Sequence, residues 1–143
     1  QSKPTFTQLN LNKYHANIIS NLCNYFSISL NFYKQDVPQA KYLPQVKYLE
    51  EFRIKKYEVG GKDRFEEHVD VIDHRSSKRS LAMLFYLNDV VSGGKTIFPY
   101  QDKEFTPSKG DVIVFPPTWE YPHLGESPIS NSKYIMSTYL HYH

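Results

Sequence analysis

The sequence predicts a single, mainly β domain with some α structure, in which an N-terminal helix packs on a β-sandwich. Its 143 residues are close to the size of one domain. Apolar residues recur at helical spacing only near the start of the chain, and short strand-like runs separated by turn signals follow. We therefore expect one domain, 1–143, with a helical part at about 7–35 and a β core at about 47–142.

The helical part begins with polar residues that can cap it and ends before prolines. Thr7 or Asn10 is expected to cap a helix that runs towards Phe32. The apolar residues of this helix follow at steps of three and four: Leu11, Tyr14, Ile18, Leu22, Tyr25 and Phe26. Two prolines, Pro38 and Pro44, lie beyond it in a segment that we expect to connect the helix to the first strand.

The β core is predicted from alternation, apolar runs and turn residues. Alternation with a period of two begins at about Lys47, and a pair of glycines at 60–61 interrupts it. The strand-like runs that follow are 65–72, 81–87, 96–98, 111–115 and 134–142. The run 81–87 is continuously apolar, which is typical of a strand buried on both faces.

The composition excludes several classes of protein. Hydrophobic residues form 40% of the chain and aromatic residues 15%, which argues against intrinsic disorder. Cys23 is the only cysteine, so a disulfide scaffold is excluded. The run 81–87 is far shorter than the roughly 20 residues that span a bilayer, and the net charge of +2 predicts no basic surface for nucleic acid. We expect a cytoplasmic protein without a nucleic-acid or membrane partner; its oligomeric state stays open.

The strongest chemical signal is the segment Glu67-His68-Val69-Asp70. On a strand, His68 and Asp70 point to the same face and can reach one metal ion. A third ligand must come from another strand, and His123 is the best candidate. Two imidazoles and one carboxylate form the facial triad of non-haem Fe(II) oxygenases. A lone His-x-Asp is also common in hydrogen-bonded surface pairs, so this motif alone leaves both interpretations open.

Lys133 adds a second signal, because it opens the last apolar run of the chain ten residues after His123. A buried lysine is costly unless it meets an anion, so a lysine at this place predicts a carboxylate partner. A lysine at the end of a strand can also extend into solvent.

Five pieces of sequence, which include the candidate ligands and Lys133, occur in a fixed order. They are Tyr-Glu-Val-Gly at 57–60 followed by Phe-Glu-Glu-His-Val-Asp at 65–70, Leu-Phe-Tyr-Leu-Asn at 84–88, Gly-Gly-Lys-Thr-Ile-Phe-Pro at 93–99, Pro-Ser-Lys-Gly-Asp at 107–111, and His123-x-Gly125 with Lys133. Over 57–140 the chain thus resembles the prolyl 4-hydroxylase-like 2-oxoglutarate- and Fe(II)-dependent dioxygenases.

This resemblance implies a double-stranded β-helix, or jelly roll, braced by the N-terminal helix. It also implies Fe(II) held by the three ligands named above, with 2-oxoglutarate and dioxygen as cosubstrates and ascorbate as a supporting reductant. Lys133 would meet the far carboxylate of 2-oxoglutarate, with Tyr86 as its hydroxyl partner. Tyr57 and Thr96 correspond to positions that line the pocket. An aspartate at position 70 favours hydroxylation over halogenation.

The substrate is expected to be a prolyl residue in a peptide or protein. Trp119 and Tyr121 precede His123 and would suit the apolar ring of a proline at the mouth of the site. Arg64 belongs to a charged group near the first ligand strand that could hold a peptide backbone. The alternatives are the same chemistry on a free amino acid, a small molecule or a nucleobase, or a jelly-roll metal-binding module or zinc hydrolase that uses the same ligands.

Overall fold

The computed structural model describes residues 4–45 and 48–143, and within them the chain forms two antiparallel sheets and two α-helices. The strands are β1 (Thr7–Asn10), β2 (Arg53–Tyr57), β3 (Phe65–His68), β4 (Arg79–Tyr86), β5 (Thr96–Phe98), β6 (Lys103–Phe105), β7 (Val112–Phe115), β8 (His123–Gly125) and β9 (Lys133–His141). The helices are α1 (Leu11–Tyr14) and α2 (Ile19–Asp36), with short 3₁₀ segments at Ala16–Ile18 and Pro38–Tyr42.

The major sheet has the order β1-β2-β9-β4-β7, and the minor sheet has the order β3-β8-β5-β6. Their strands alternate between the two sheets along much of the chain, as in the predicted jelly roll. The mainly β fold class is therefore confirmed. The predicted start of the β core at Lys47 lies outside the described residues.

Both faces of the major sheet are buried, and β4 shows how. Met83 and Phe85 pack towards α2, where Phe26 is 1% exposed and Leu30 is also buried. The alternate residues of β4, Ala82, Leu84 and Tyr86, face the minor sheet and pack in a second cluster with Phe98, Ile135 and Tyr139. This double burial explains why β4 reads as a continuous apolar run.

The N-terminal part differs from the prediction. Thr7–Asn10 is a strand, because its backbone pairs with β2 in the register Thr7↔Lys56 to Asn10↔Arg53. Asn10 does cap a helix, since its side chain accepts a hydrogen bond from the Lys13 amide at 3.1 Å. That helix is only the short α1, and the main helix begins at Ile19.

Two short strands of the minor sheet, β6 and β8, were not predicted as strands. Strand β8 matters most, because it pairs with β3 on one side and β5 on the other. It brings the distal histidine motif next to the first ligand strand. Within the described residues no helix is long and apolar enough to cross a membrane.

Candidate metal centre

His68 and His123 are directly opposite each other on β3 and β8, at the rim of the minor sheet. Their ring centroids are 4.3 Å apart, and both side chains are buried. Phe65 stacks on the His68 ring at a centroid distance of 3.5 Å, and Phe115 meets the His123 ring edge-on at 4.8 Å. Packing against aromatic rings therefore fixes both imidazoles in place.

Asp70 completes the triad from just beyond the end of β3. The prediction placed it on the strand with His68; instead, the backbone leaves the ladder after His68, and the Asp70 amide donates to the Pro117 carbonyl at 3.2 Å. The Asp70 carboxylate lies 3.3 Å from Nε2 of His68 and 3.6 Å from Nε2 of His123. One donor atom from each of the three residues lies within 4.8 Å of the other two.

The hydrogen bonds of the two imidazoles direct the same nitrogen of each towards the centre. Nδ1 of His68 donates to the Glu66 carbonyl at 2.7 Å, and Nδ1 of His123 donates to the Tyr121 carbonyl at 3.1 Å. A carbonyl oxygen can only accept, so both Nδ1 atoms carry the proton. The lone pairs of both Nε2 atoms are then free to bind a metal ion.

The electrostatics favour the protonation states that a metal needs. Burial raises the pKa of Asp70, but the hydrogen bond with His68 and the neighbouring positive charges outweigh it, so the pKa lies below its ordinary value. Burial lowers the pKa of His123, although Asp70 opposes this. An ionised Asp70 carboxylate and a His123 ring whose neutral form is favoured suit a divalent ion. Two nitrogens and one carboxylate oxygen from one side fit Fe(II) and leave other positions for exchangeable ligands.

A network of polar side chains beside the triad is linked to Asp70 through Arg79. The Arg79 guanidinium donates to the Asp70 main-chain carbonyl at 2.8 Å and forms two hydrogen bonds to Glu50, each 2.9 Å long. Glu50 also lies 3.0 Å from Nε2 of His141. Burial raises the pKa of Tyr139 well above its ordinary value, and the charge of the Asp70 carboxylate adds to the shift.

The three triad residues line a cavity together with Lys133, which is 1% exposed. Its ammonium lies over the rings of Tyr57 and Tyr86, at 4.9 and 5.8 Å from their centroids. Within residues 4–45 and 48–143, no carboxylate oxygen lies within 4.0 Å of it. Burial lowers the pKa of Lys133 to about 8, with Glu126 opposing the shift. A buried ammonium without a carboxylate partner in a cavity fits an anionic ligand such as 2-oxoglutarate.

The other predicted pocket residues also lie close to Lys133. The Tyr86 hydroxyl donates to Oγ1 of Thr96 at 2.5 Å, and both side chains are buried. Tyr57 is opposite Lys133 in the pairing of β2 with β9. Gly94, with a φ of +69°, packs beside the lysine stem, since a Cβ there would be 3.2 Å from Cγ1 of Val90 and 3.4 Å from Cδ of Lys133.

Sequence reasoning missed Lys55, which lines the cavity together with the triad and Lys133. It precedes Tyr57 by two residues on β2 and so points to the same face. That spacing from a predicted pocket residue was the available signal. Burial lowers the pKa of Lys55 to about 8, and Asp70 opposes the shift.

The three residues predicted to contact substrate are not brought together. Trp119 is 78% exposed, two residues after the Pro117 carbonyl that binds the Asp70 amide. The Tyr121 ring lines a separate cavity with Tyr33 and Leu81, and only its carbonyl reaches the centre, through His123. The Arg64 guanidinium is exposed and paired with Glu66.

Comparison with known proteins agrees with this geometry. Probable prolyl 4-hydroxylase 9 of Arabidopsis thaliana is 34% identical over 107 residues, covering 61% of this chain and 36% of that protein. A putative prolyl 4-hydroxylase of Acanthamoeba polyphaga mimivirus is 31% identical over 100 residues, covering 70% of this chain and 38% of that protein. The chain thus spans a little over a third of the length of these curated relatives.

The fold is shared with the viral collagen prolyl hydroxylase of Paramecium Bursaria Chlorella virus-1, solved as a 2OG complex. The TM-score is 0.71 at 20% identity, and the match covers 95% of this chain and 79% of the viral one. The family model of the 2OG-Fe(II) oxygenase superfamily matches residues 52–141, which is more than half of the chain and includes the triad and Lys133. This match shows that the chain belongs to the 2OG-Fe(II) oxygenase superfamily, and the triad and the buried lysine agree with it.

Proposed function

We propose that this chain hydroxylates a prolyl residue in a peptide or protein, using Fe(II), 2-oxoglutarate and dioxygen. The observation that carries the proposal is that one cavity holds two complementary sites. The His68, Asp70 and His123 triad lines it together with Lys133, whose ammonium has no carboxylate oxygen within 4.0 Å among the described residues. A metal site and an anion site in one cavity fit a dicarboxylate that chelates the metal at one end.

The triad would hold Fe(II) through both Nε2 atoms and the Asp70 carboxylate. When bound, the metal and 2-oxoglutarate supply the oxidative chemistry, in which dioxygen hydroxylates a C–H bond while 2-oxoglutarate becomes succinate and carbon dioxide. The work of the protein is geometric: the carbonyls of Glu66 and Tyr121 keep each imidazole in the tautomer that can bind the metal.

Lys133 would neutralise the far carboxylate of 2-oxoglutarate. The Tyr86 hydroxyl donates to Oγ1 of Thr96 at 2.5 Å, which leaves the Thr96 hydroxyl proton free to donate to the same carboxylate. Aromatic walls around the triad exclude water, which strengthens each charge interaction in the cavity. In this proposal Trp119 contacts the substrate from outside and Tyr121 positions His123; Arg64, held by Glu66, binds peptide only if that pair opens.

The choice of proline is supported by the two relatives whose names are those of prolyl 4-hydroxylases. The test is to incubate a peptide library with the protein, Fe(II), ascorbate and 2-oxoglutarate and to map the products by tandem mass spectrometry. The expected result is the mass of one added oxygen on proline. Oxygen added only to another residue, a free amino acid, a small molecule or a nucleobase would show that this compound, and not proline, is the substrate. Hydrolysis without succinate would favour a zinc hydrolase. A cytoplasmic location stays a prediction that cell fractionation can test.

A further inference from the structure

The cavity contains a second lysine, Lys55, which the proposed reaction does not use. Strand β2 pairs with β9 so that Tyr57 is opposite Lys133 and Lys55 is opposite Ile135. Lys55 is therefore two residues, or about 7 Å of strand, away from the level of Lys133. It is half-buried, whereas Lys133 is almost completely buried. The two cations thus mark two levels of one cavity, of which the Lys55 level is the more accessible.

Lys55 has no dedicated anionic partner among the described residues. No carboxylate oxygen in 4–45 or 48–143 lies within 4.0 Å of its ammonium, which instead lies 5.1 Å from the centroid of the Phe6 ring. Two acidic groups, Asp70 and Glu50, attract it. The oxygens of Glu50 already accept from Arg79, Arg53 and His141. The Asp70 carboxylate is the one that the metal would take.

With the metal and 2-oxoglutarate bound, the positive charge of Lys55 would be left without a compensating anion. A divalent metal and the Lys133 ammonium together balance the Asp70 carboxylate and the two carboxylates of 2-oxoglutarate. Lys55 then adds one positive charge that none of these groups neutralises. A cation in a partly desolvated cavity is costly unless an anion arrives to pair with it. Dioxygen carries no charge, so the remaining component that can bring an anion is the substrate.

We propose that Lys55 binds a carboxylate of the substrate, so that this enzyme prefers targets that carry a negative charge next to the residue it hydroxylates. The carboxylate belongs to a neighbouring Asp or Glu side chain or to the free C-terminus of the substrate. This inference rests on the proposed function, because it takes the metal and 2-oxoglutarate to occupy the triad and Lys133. It makes Lys55 a residue that selects the substrate and leaves the bond chemistry to the metal centre.

The adjacent lysine provides a matched control. Lys56 lies on the opposite face of β2 and pairs with Glu58 at 2.6 Å, at the protein surface. Lys55→Met and Lys56→Met remove the same charge from positions one residue apart, and only the first changes the cavity. Thermal unfolding of both variants verifies that each is folded before binding is measured.

The experiment measures the binding of peptides by calorimetry, without oxygen, to the protein loaded with Fe(II) and 2-oxoglutarate. Matched proline peptides carry Glu or Gln beside the proline, with a free or an amidated C-terminus. The wild-type protein and Lys56→Met should prefer a charged peptide in one of the two pairs, Glu over Gln or free C-terminus over amide. The charged peptide should bind about tenfold more tightly, as for a charge-assisted contact. Lys55→Met should bind both forms alike. The Glu/Gln and acid/amide arms show which carboxylate is recognised.

Three results would overturn the inference. They are a preference that survives in Lys55→Met, a wild-type protein that binds no peptide in a charge-dependent way, and a loss of 2-oxoglutarate affinity in Lys55→Met that leaves the peptide preference intact. The last result would assign Lys55 to the cosubstrate. The proposed function fails separately, if acidic peptides are bound through Lys55 but proline gains no oxygen.

Discussion

Arg79 donates a hydrogen bond from Nη1 to the main-chain carbonyl of Asp70, at 2.8 Å, and so holds the backbone of the one carboxylate ligand in the triad. Its other nitrogens form two hydrogen bonds with Glu50. Because the same guanidinium is held by Glu50 and bonded to Asp70, it restricts where the Asp70 carboxylate can move. Metal affinity should therefore depend on a residue that does not touch the metal.

The first prediction is that Arg79→Gln lowers metal affinity by about tenfold or more, the usual cost of losing a group that orients a metal ligand. Titration with Co(II), followed by visible absorption, measures this affinity without turnover. Arg53→Gln is the control, because Arg53 also contacts Glu50, at 3.3 Å, but is not bonded to Asp70. Equal losses in the two variants would mean that Arg79 acts only through Glu50.

The second prediction concerns Lys133→Met. The variant should bind 2-oxoglutarate about tenfold or more weakly, because the charged partner of its far carboxylate is gone. The melting temperature should stay the same or rise, since Met removes a buried charge that has no carboxylate within 4.0 Å among the described residues. Calorimetry and thermal unfolding measure the two effects. Lys95→Met, which breaks a surface pair with Glu104, is the control and should leave the affinity for 2-oxoglutarate unchanged. An unchanged affinity in Lys133→Met would disprove that Lys133 binds the far carboxylate.

The third prediction is a pH dependence of cosubstrate binding. Burial lowers the pKa of Lys133 to about 8, so its ammonium is charged below that pH and becomes neutral above it. Only the charged form attracts a carboxylate, and 2-oxoglutarate should therefore bind more weakly as the pH rises through 8. Burial raises the pKa of Tyr86 to about 12, so this hydroxyl does not titrate in the same range.

Lys55 does titrate there, since burial lowers its pKa to about 8 as well. Two variants separate the lysines. Lys133→Arg, which stays charged, should flatten the pH profile of 2-oxoglutarate binding, and Lys55→Met should keep it. The opposite pattern would assign the pH dependence to Lys55.

The fourth prediction tests how α2 supports the site. Phe26 is 1% exposed against the major sheet, so Phe26→Ala should lower the free energy of unfolding by about 3–5 kcal/mol. Phe32, on the same helix, is 65% exposed, and Phe32→Ala should change it by no more than about 0.5 kcal/mol. Urea unfolding measures both variants. Similar losses at the two positions would contradict the packing described here.

The candidate metal triad could be predicted from the sequence, because two imidazoles and one carboxylate are a donor set typical of Fe(II) oxygenases. The structure brings these predicted residues to one cavity: His68, Asp70, His123 and Lys133. The strand geometry assumed for Asp70 was wrong, since a loop turns at His68 and binds the Pro117 carbonyl. Such a departure depends on a contact that is distant in sequence.

Lys55 and Arg79 were harder to place for a physical reason. Alternation in β2 shows that Lys55 and Ile54 face opposite ways, but an inward-facing lysine and a solvent-facing one look the same in a sequence. Lys55 lines the cavity, whereas Lys56, on the other face of β2, pairs with Glu58 at the surface. Arg79 carried no signal of its own, because its partner Glu50 lies 29 positions earlier in the sequence. Thr7–Asn10 was taken for helix because its pairing with β2 is also distant in sequence.

The most direct test of the central claim is the Fe(II)-dependent conversion of 2-oxoglutarate to succinate in air, measured by mass spectrometry for the wild-type protein and for Asp70→Ala. We expect succinate from the wild-type protein and from the surface variant Lys56→Met, and only background from Asp70→Ala, which lacks the carboxylate of the triad. Equal succinate from Asp70→Ala and the wild-type protein, or no iron-dependent succinate from either, would contradict this claim.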